Sequence, residues 1–411
     1  MTSQPIPTPA GTADFDVFTA TSRVESNTSW DAARDAAPVL RSEFNGGLWM
    51  FTRYEEVCAA FRDWETFSSA RTDPTRSSIA VTQGQAPLLV PEELDPPEWD
   101  PYRRIIAELL TPRVAEALRP RARYWSEHFL DQVADAGACD LVTDLAVPVP
   151  AAVIMEFLGL SVEDWLPRAK VFHDVTAYPP GHPTREAALI DYGAVLSAVA
   201  GELADRRTNP REDAMTTIAL ATVDGRSIDT TMAQLLVFMV LGGGVDTTTS
   251  LVSAALVHLG EDRPLRKRLR DDPALLKTAT EEFLRVYPPA RTHTRTVARD
   301  VEVGGCPLRA GDRVLLSEIS ANHDELFFED PQDFQPSRFP NRHVSFGMGK
   351  HRCPGSHLAR VEFGEMIAAV LHRVPDFTIA DSGPVEYPSW AMVGGWSSIP
   401  VVFAPRTAVS R

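Results

Sequence analysis

Ten consecutive residues carry the densest chemistry in the chain: Phe346-Gly347-Met348-Gly349-Lys350-His351-Arg352-Cys353-Pro354-Gly355. A single cysteine follows an aromatic residue in a loop punctuated by glycines, which take φ > 0 without steric cost. Backbone N–H groups, Lys350, Arg352 and the start of a following helix favour an anionic sulfur there. A thiolate is one of the few protein ligands for haem iron, and it favours O–O bond cleavage. Taken alone, Cys353 reads more simply as a small buried hydrophobe.

Two further constellations bear on the choice. Gly242-Gly243-Gly244-Val245-Asp246-Thr247-Thr248 lies inside a long apolar stretch. Each interior glycine costs a helix about 1 kcal/mol relative to alanine, so three together need a reason. One reading is a helix break, with Asp246 or Thr247 capping a fresh start. The other is a helix passing close over a flat cofactor, with an acid–alcohol pair beside the gap. In Glu282-Phe283-Leu284-Arg285 the charged residues share a helix face. The ordinary meaning of that spacing is a solvated ion pair of little energetic weight.

The cysteine string, continued by Leu358-Ala359-Arg360, resembles the haem-binding loop of the cytochrome P-450 family without a gap. The glycine string resembles that family's distal-helix signature, and Glu282–Arg285 its Glu-x-x-Arg pair. Phe334-Gln335-Pro336-Ser337-Arg338-Phe339 also matches. These motifs occur in the family's order. With Asn45-Gly46-Gly47 and Ile399-Pro400-Val401-Val402 the resemblance extends over nearly the whole chain. Among bacterial members the camphor-hydroxylating branch is nearest, although Pro87-Leu88-Leu89-Val90 stands where that branch has an aromatic hydroxyl.

The resemblance implies a mainly α cytochrome P-450-type domain with a helical core and small β-sheets. It implies haem b ligated by the Cys353 thiolate, with Phe346, Gly347 and Gly355 shaping the loop. Asp246 and Thr247 are then the proton-delivery pair, and Glu282, Arg285 and Arg338 a structural network beneath the loop. Haem propionates are paired by arginine. By the match these are Arg103 and Arg295, joined by His351, with His293 a further candidate. Trp99 stands where the family usually has His, so its indole N–H replaces or loses one contact. Substrate-facing positions by the same pattern are Leu88, Leu89, Met239, Gly243, Thr247, Arg291, Thr292, Met392 and Val393. Most are apolar, which suits a terpenoid, aromatic or steroid-like substrate. Arg291 either grips a substrate carboxylate or faces solvent. The implied activity is hydroxylation with O2, driven by electrons from a ferredoxin and its reductase. Alternatives are a peroxide-driven peroxygenase, a non-enzymatic haem sensor, and a zinc protein using His343, His351, Cys353 and His357, whose spacing suits zinc poorly.

Composition narrows the classes. A formal net charge of −16 argues against nucleic acid as a partner. The 4 cysteines lack paired spacing, which suits a reducing cytoplasm. The N-terminus is polar and proline-rich with no secretory pattern. The run Leu235 to Leu241, ending at Gly242-Gly243-Gly244, reads as too short to span a membrane.

The elements that must position these residues follow from periodicity and breakers. Helices are predicted over 54–62, 99–110, 114–133, 150–158, 185–207, 230–258, 273–287 and 354–373. Strands are predicted over 48–52, within 297–316 and within 393–403. A breaker-rich loop at 178–183 is a candidate lid. The expected organisation is a poorly ordered 1–13, one haem domain over 14–405 and a tail at 406–411.

Overall fold

The computed structural model describes residues 15–81 and 87–405. The expected disordered start and the expected tail lie outside those residues. Helices are α1 (Arg23–Ala36), α2 (Tyr54–Arg62), α3 (Trp99–Leu109), α4 (Pro112–Val133), α5 (Pro148–Phe157), α6 (Val162–Ala177) and α7 (Pro183–Thr208). They continue as α8 (Ala214–Ala219), α9 (Thr230–Glu261), α10 (Arg263–Asp271), α11 (Leu275–Val286), α12 (Glu318–Asn322) and α13 (Ser356–Arg373).

Strands are short, and the largest sheet gathers five of them. β1 (Val39–Ser42), β2 (Leu48–Phe51), β3 (Phe67–Ser68), β4 (Thr292–Val297) and β5 (Arg313–Ser317) form it in the order β1-β2-β5-β4-β3. β2 and β5 are parallel; the other pairs are antiparallel. In β4, period-2 alternation puts His293 and Arg295 on one face and Thr294 on the other. The architecture is the mainly helical one expected.

α9 is the axis of the molecule. Asp229 caps it, accepting from the Thr231 and Met232 N–H groups. It is apolar on every face, the mark of a helix surrounded by protein. One side packs with α5, α6 and α7 around Ile154, Phe172 and Phe238. Further along, α4, α11 and α13 close around Leu256, Phe283 and Phe363.

One open alternative closes here and one expectation changes. The glycine run does not break the helix: α9 continues through it for 32 residues. Length therefore no longer excludes a membrane span, since α9 and α7 are both long and apolar enough. In α9, however, 72% of the most apolar window is buried against other parts of this chain. Five helices escaped periodicity: α1, α6, α8, α10 and α12. α6 carried a legible start, because Ser161 accepts from the Asp164 N–H. Its interior Pro167 masks the pattern.

Candidate active site

The Cys353 loop is held by its own backbone. Cys353 N–H donates to Phe346 O at 2.8 Å, and Gly347 N–H to Val344 O at 2.7 Å. Gly349 has φ +67°, and a Cβ there would stand 2.5 Å from Phe61 O, so backbone contact with the end of α2 demands glycine. The Gly355 N–H and Arg352 favour the anionic sulfur, as expected, but burial outweighs them. Burial pushes the Cys353 thiol up to about 11, and Glu92 adds to the rise; the Gly355 N–H, Arg103 and Arg352 oppose it without prevailing. Lys350 is occupied elsewhere, 3.9 Å from Asp100 and over the Trp99 ring. A bound metal deprotonates a coordinating thiol outright, so ligation and not the loop's cations decides the sulfur's charge.

Around the sulfur the cleft collects unmatched donors. Trp99 and Arg103 share a face of α3. Trp99 Nε1 is buried without a partner among the described residues. Arg103 donates to Arg352 O at 2.6 Å and has no carboxylate partner among the described residues. Arg295 is 5% exposed and, among the described residues, donates only to Thr294 O; burial lowers its pKa. His351 Nε2 stands 3.5 Å from Asp95 Oδ1, too far for a good hydrogen bond, and burial lowers its pKa as well. Buried cations without counter-ions are costly. A buried guanidinium (Arg295), a half-buried one (Arg103), an indole N–H and an imidazole around a half-buried thiol therefore fit a flat, dianionic, iron-bearing group. His293, on the same face of β4 as Arg295, is engaged differently: its Nδ1 is bound to Glu318.

The three glycines of α9 separate by environment. A Cβ at Gly242 would meet the Phe172 ring at 2.8 Å, and one at Gly244 would meet Ile154 Cδ1 at 2.6 Å. These two glycines admit α6 and α5. At Gly243 the one near atom is the flexible end of Met239, at 3.0 Å, and the position is exposed. Only Gly243 thus matches the expectation of space kept open for a cofactor or substrate. One turn on, Thr247 Oγ1 donates to Gly243 O at 2.9 Å. Asp246 turns the other way: it is 3% exposed, with Oδ1 2.8 Å from His173 Nδ1 and Oδ2 unpartnered among the described residues.

Among the expected substrate-facing residues, Leu88 and Leu89 are half-buried against the α9 cluster. Thr292 Oγ1 donates to Ala391 O at 2.9 Å, Met392 O accepts the Arg291 N–H at 2.7 Å, and Ala290 pairs with Val393. The segments 290–292 and 391–393 therefore lie side by side. Arg291 meets neither expectation. Its side chain is 2% exposed, donates to Asn27 Oδ1 at 2.7 Å and Ser26 Oγ at 3.0 Å, and lies over the Trp390 ring. Burial lowers its pKa to about 9. It locks α1 to the sheet.

The Glu282–Arg285 pair is not a solvated one. Both side chains are fully buried, with Arg285 Nη2 2.7 Å and Nε 2.8 Å from the two carboxylate oxygens. Arg338 Nε adds a contact at 3.1 Å, and Gln335 N–H and Asn341 Nδ2 each donate at 2.9 Å. Arg285 also caps Asn322, Pro331 and Asp333 carbonyls. The network clamps α11 to the segment leading into the cysteine loop.

Sequence reasoning missed three residues near the site. Glu92 acts electrostatically on Cys353, Arg103, Arg295 and His351. Its position just before the Asp95-Pro96-Pro97 run was the available signal. His173 and Tyr387 carried no local signal, because what defines them is their meeting with Asp246.

Fold and cleft together define a helical scaffold around a thiolate-ligated haem. A family model described as Cytochrome P450 matches residues 195–375. The chain is 37% identical over 363 residues to the nocardicin C N-oxygenase of Nocardia uniformis subsp. tsuyamanensis, covering 87% of this chain and 89% of that protein. It is 30% identical to the steroid C26-monooxygenase of Mycobacterium tuberculosis H37Rv, over 93% of this chain and 94% of that one. It superposes on the crystal structure of CYP101J2 with a TM-score of 0.84 at 28% identity, covering 98% of this chain and 100% of that one. The chain belongs to the cytochrome P450 family. It is a P450 monooxygenase that uses haem b with a cysteine thiolate ligand, takes a small-molecule substrate and O2, and receives electrons from a redox partner.

Proposed function

We propose that the chain hydroxylates a C–H bond of a hydrophobic small molecule of terpenoid, aromatic or steroid-like size, with electrons from a ferredoxin served by a ferredoxin reductase. It works in the cytoplasm as one haem domain over 14–405. Cys353 is the axial ligand; Arg103, Arg295, His351 and the Trp99 indole N–H hold the propionates. When bound, the haem supplies oxygen activation and transfer. The protein's part is to exclude water, orient substrate and move protons. Thr247 and Asp246 are the proton-delivery pair, and Gly243, Met239, Leu88, Leu89, Thr292, Met392 and Val393 bound the substrate space. Near the sulfur, Arg62, Phe346, Arg352 and Arg360 line a cleft of about 350 Å³. Arg62 and Arg352, the exposed arginines of that cleft, suit an acidic electron donor.

The observation that carries the reading is the open Gly243 position one turn before Thr247, whose chain neighbour Asp246 keeps Oδ2 unpartnered in the core among the described residues. An oxygen-dependent enzyme needs that space and that pair; a peroxide-driven one needs no proton relay. Relatives named as a steroid C26-monooxygenase and a cytochrome P450-terp favour apolar substrates. The test is a ligand screen on the purified holoenzyme, watching the Soret band for a low-to-high spin shift. Amines belong in it, since the relative at 37% identity is named an N-oxygenase. Turnover with O2, ferredoxin and reductase, and little with peroxide, is expected. Efficient turnover with peroxide alone would replace this reading with the peroxygenase one.

A further inference from the structure

Asp246 is not alone in the core. α6 sets His173 against α9 with Nδ1 2.8 Å from Asp246 Oδ1. Tyr387 OH lies 3.4 Å from the same nitrogen, and its ring packs edge-on to the imidazole. Room for that ring comes from Gly395, where a Cβ would stand 2.6 Å from Tyr387 Cε2. Tyr387 is fully buried; burial first, then the charge and hydrogen bonding of the nearby Asp246 carboxylate, raise its pKa far above the usual value and keep it neutral. The imidazole is different, because its side chain retains 17% exposure. Among the described residues nothing hydrogen-bonds its Nε2. One ring nitrogen thus holds the buried acid while the other remains free to exchange with water.

We propose that His173 loads protons onto Asp246, making it a positioning residue that acts through the acid–alcohol pair. The inference rests on the roles given above to Asp246 and Thr247. In the loading step the Nδ1–H bond of the imidazolium breaks and an O–H bond forms at Asp246 Oδ1. The N–H electron pair stays on Nδ1, leaving a neutral imidazole and a neutral carboxylic acid. The acid passes its proton towards Thr247 from the otherwise unpartnered side of the carboxyl. A hydronium from solvent recharges the ring as it turns outward. Tyr387 limits the directions in which the ring can turn.

The charges facing His173 support this assignment. Burial lowers its pKa, but the hydrogen bond and charge of Asp246 outweigh it, and the net shift is upward. On its own helix Asp174 adds to the rise and Lys170 opposes it. From α7, Tyr192 feels Asp246 but stays neutral through burial. From the C-terminal segment, Tyr387 is neutral as well. The imidazolium therefore persists above the ordinary histidine range and is lost as pH rises through the raised pKa. Proton loading fades in the same direction.

The test compares H173N, H173Q and D246N with the wild-type holoenzyme. The first readout is independent of turnover: NMR titration of labelled histidines in the diamagnetic reduced carbon-monoxide form, with His173 assigned by its absence in H173N. We expect His173 to titrate above the ordinary histidine value and to fall back in D246N. The second readout is the ratio of product to peroxide across pH, with the solvent isotope effect. An amide can hold Oδ1 but cannot carry a proton. H173N and H173Q should therefore lose about tenfold in product rate, a part of the 10²–10⁴ that positioned proton transfer supplies. They should also raise the isotope effect and flatten the alkaline limb. If D246N uncouples turnover while both amide variants keep wild-type coupling and pH profile, His173 only packs, and the inference is overturned. If D246N itself stays fully coupled, the acid–alcohol reading fails and takes the inference with it.

Discussion

Alanine at Gly244 and alanine at Gly243 should have opposite effects, although the two residues are neighbours. Both lie within the uninterrupted α9, and neither has a positive φ. Alanine therefore gains about 1 kcal/mol of helix propensity at either site. At Gly244 the new methyl would stand 2.6 and 2.7 Å from Ile154 Cδ1 and Cγ1. Overpacking a filled core costs about 1–3 kcal/mol, so G244A should lose up to about 2 kcal/mol net. At Gly243 the near atom is the movable end of Met239, so G243A should keep most of its gain. About 2.1 cal/mol/K per residue over 411 residues gives an unfolding entropy of about 0.9 kcal/mol/K. The two variants should then differ by only about 1–3 °C in Tm, which makes denaturant titration followed by circular dichroism the better assay. The decisive variant is G244A combined with I154A. Ile154 Cβ lies 3.9 Å from the new methyl, so truncation removes the clash. The double-mutant cycle should return a favourable coupling of about 1–3 kcal/mol. A coupling below about 0.5 kcal/mol would show that Ile154 is not what demands glycine at 244. Equal destabilisation by G243A would refute the sorting of the three glycines. In function the order reverses: G243A should weaken the substrate-induced spin shift, and G244A should leave it near wild type.

Three other outcomes are expected. E282A strands two buried guanidiniums, so it should cost about 3–5 kcal/mol and release haem on mild warming; a wild-type melting curve would contradict the clamp. Burial raises the Glu281 pKa, but hydrogen bonds from Arg360 and His343 outweigh it and hold the carboxyl at about 2. A depressed carboxyl stabilises above its unfolded pKa, and the contribution fades as pH falls from about 4.5 towards 2. At about 1.4 kcal/mol per unit that is about 3 kcal/mol, so E281Q should flatten the acid limb of stability against pH. Arg352 is exposed at the edge of the cleft near Cys353. R352E should slow reduction by ferredoxin and weaken its salt dependence while substrate affinity stays fixed; unchanged reduction would remove the docking face from this surface.

The helices that position the site were largely legible in the sequence. α2 occupies the predicted 54–62, and α3, α4, α9, α11 and α13 lie within a few residues of their expected bounds. Their signals are local: a cap, a breaker and an apolar repeat each act within a turn or two of chain. α6 escaped because Pro167 interrupts its repeat, and with it went His173.

The sequence by itself determined the Cys353 loop, the run of α9 and the order of the motifs, since each is written in contiguous residues. Tertiary structure decided what each residue faces. It sent Arg291 to the start of α1 instead of to substrate or solvent, and buried Glu282 with Arg285 instead of leaving them in water. It gave Gly242 to Phe172, Gly244 to Ile154 and Gly243 to open space. It brought His173 within 2.8 Å of Asp246 across 73 residues of chain. The physical reason is common to all four. Burial and ion pairing depend on which surfaces meet, and for residues far apart in the chain no local pattern records the meeting.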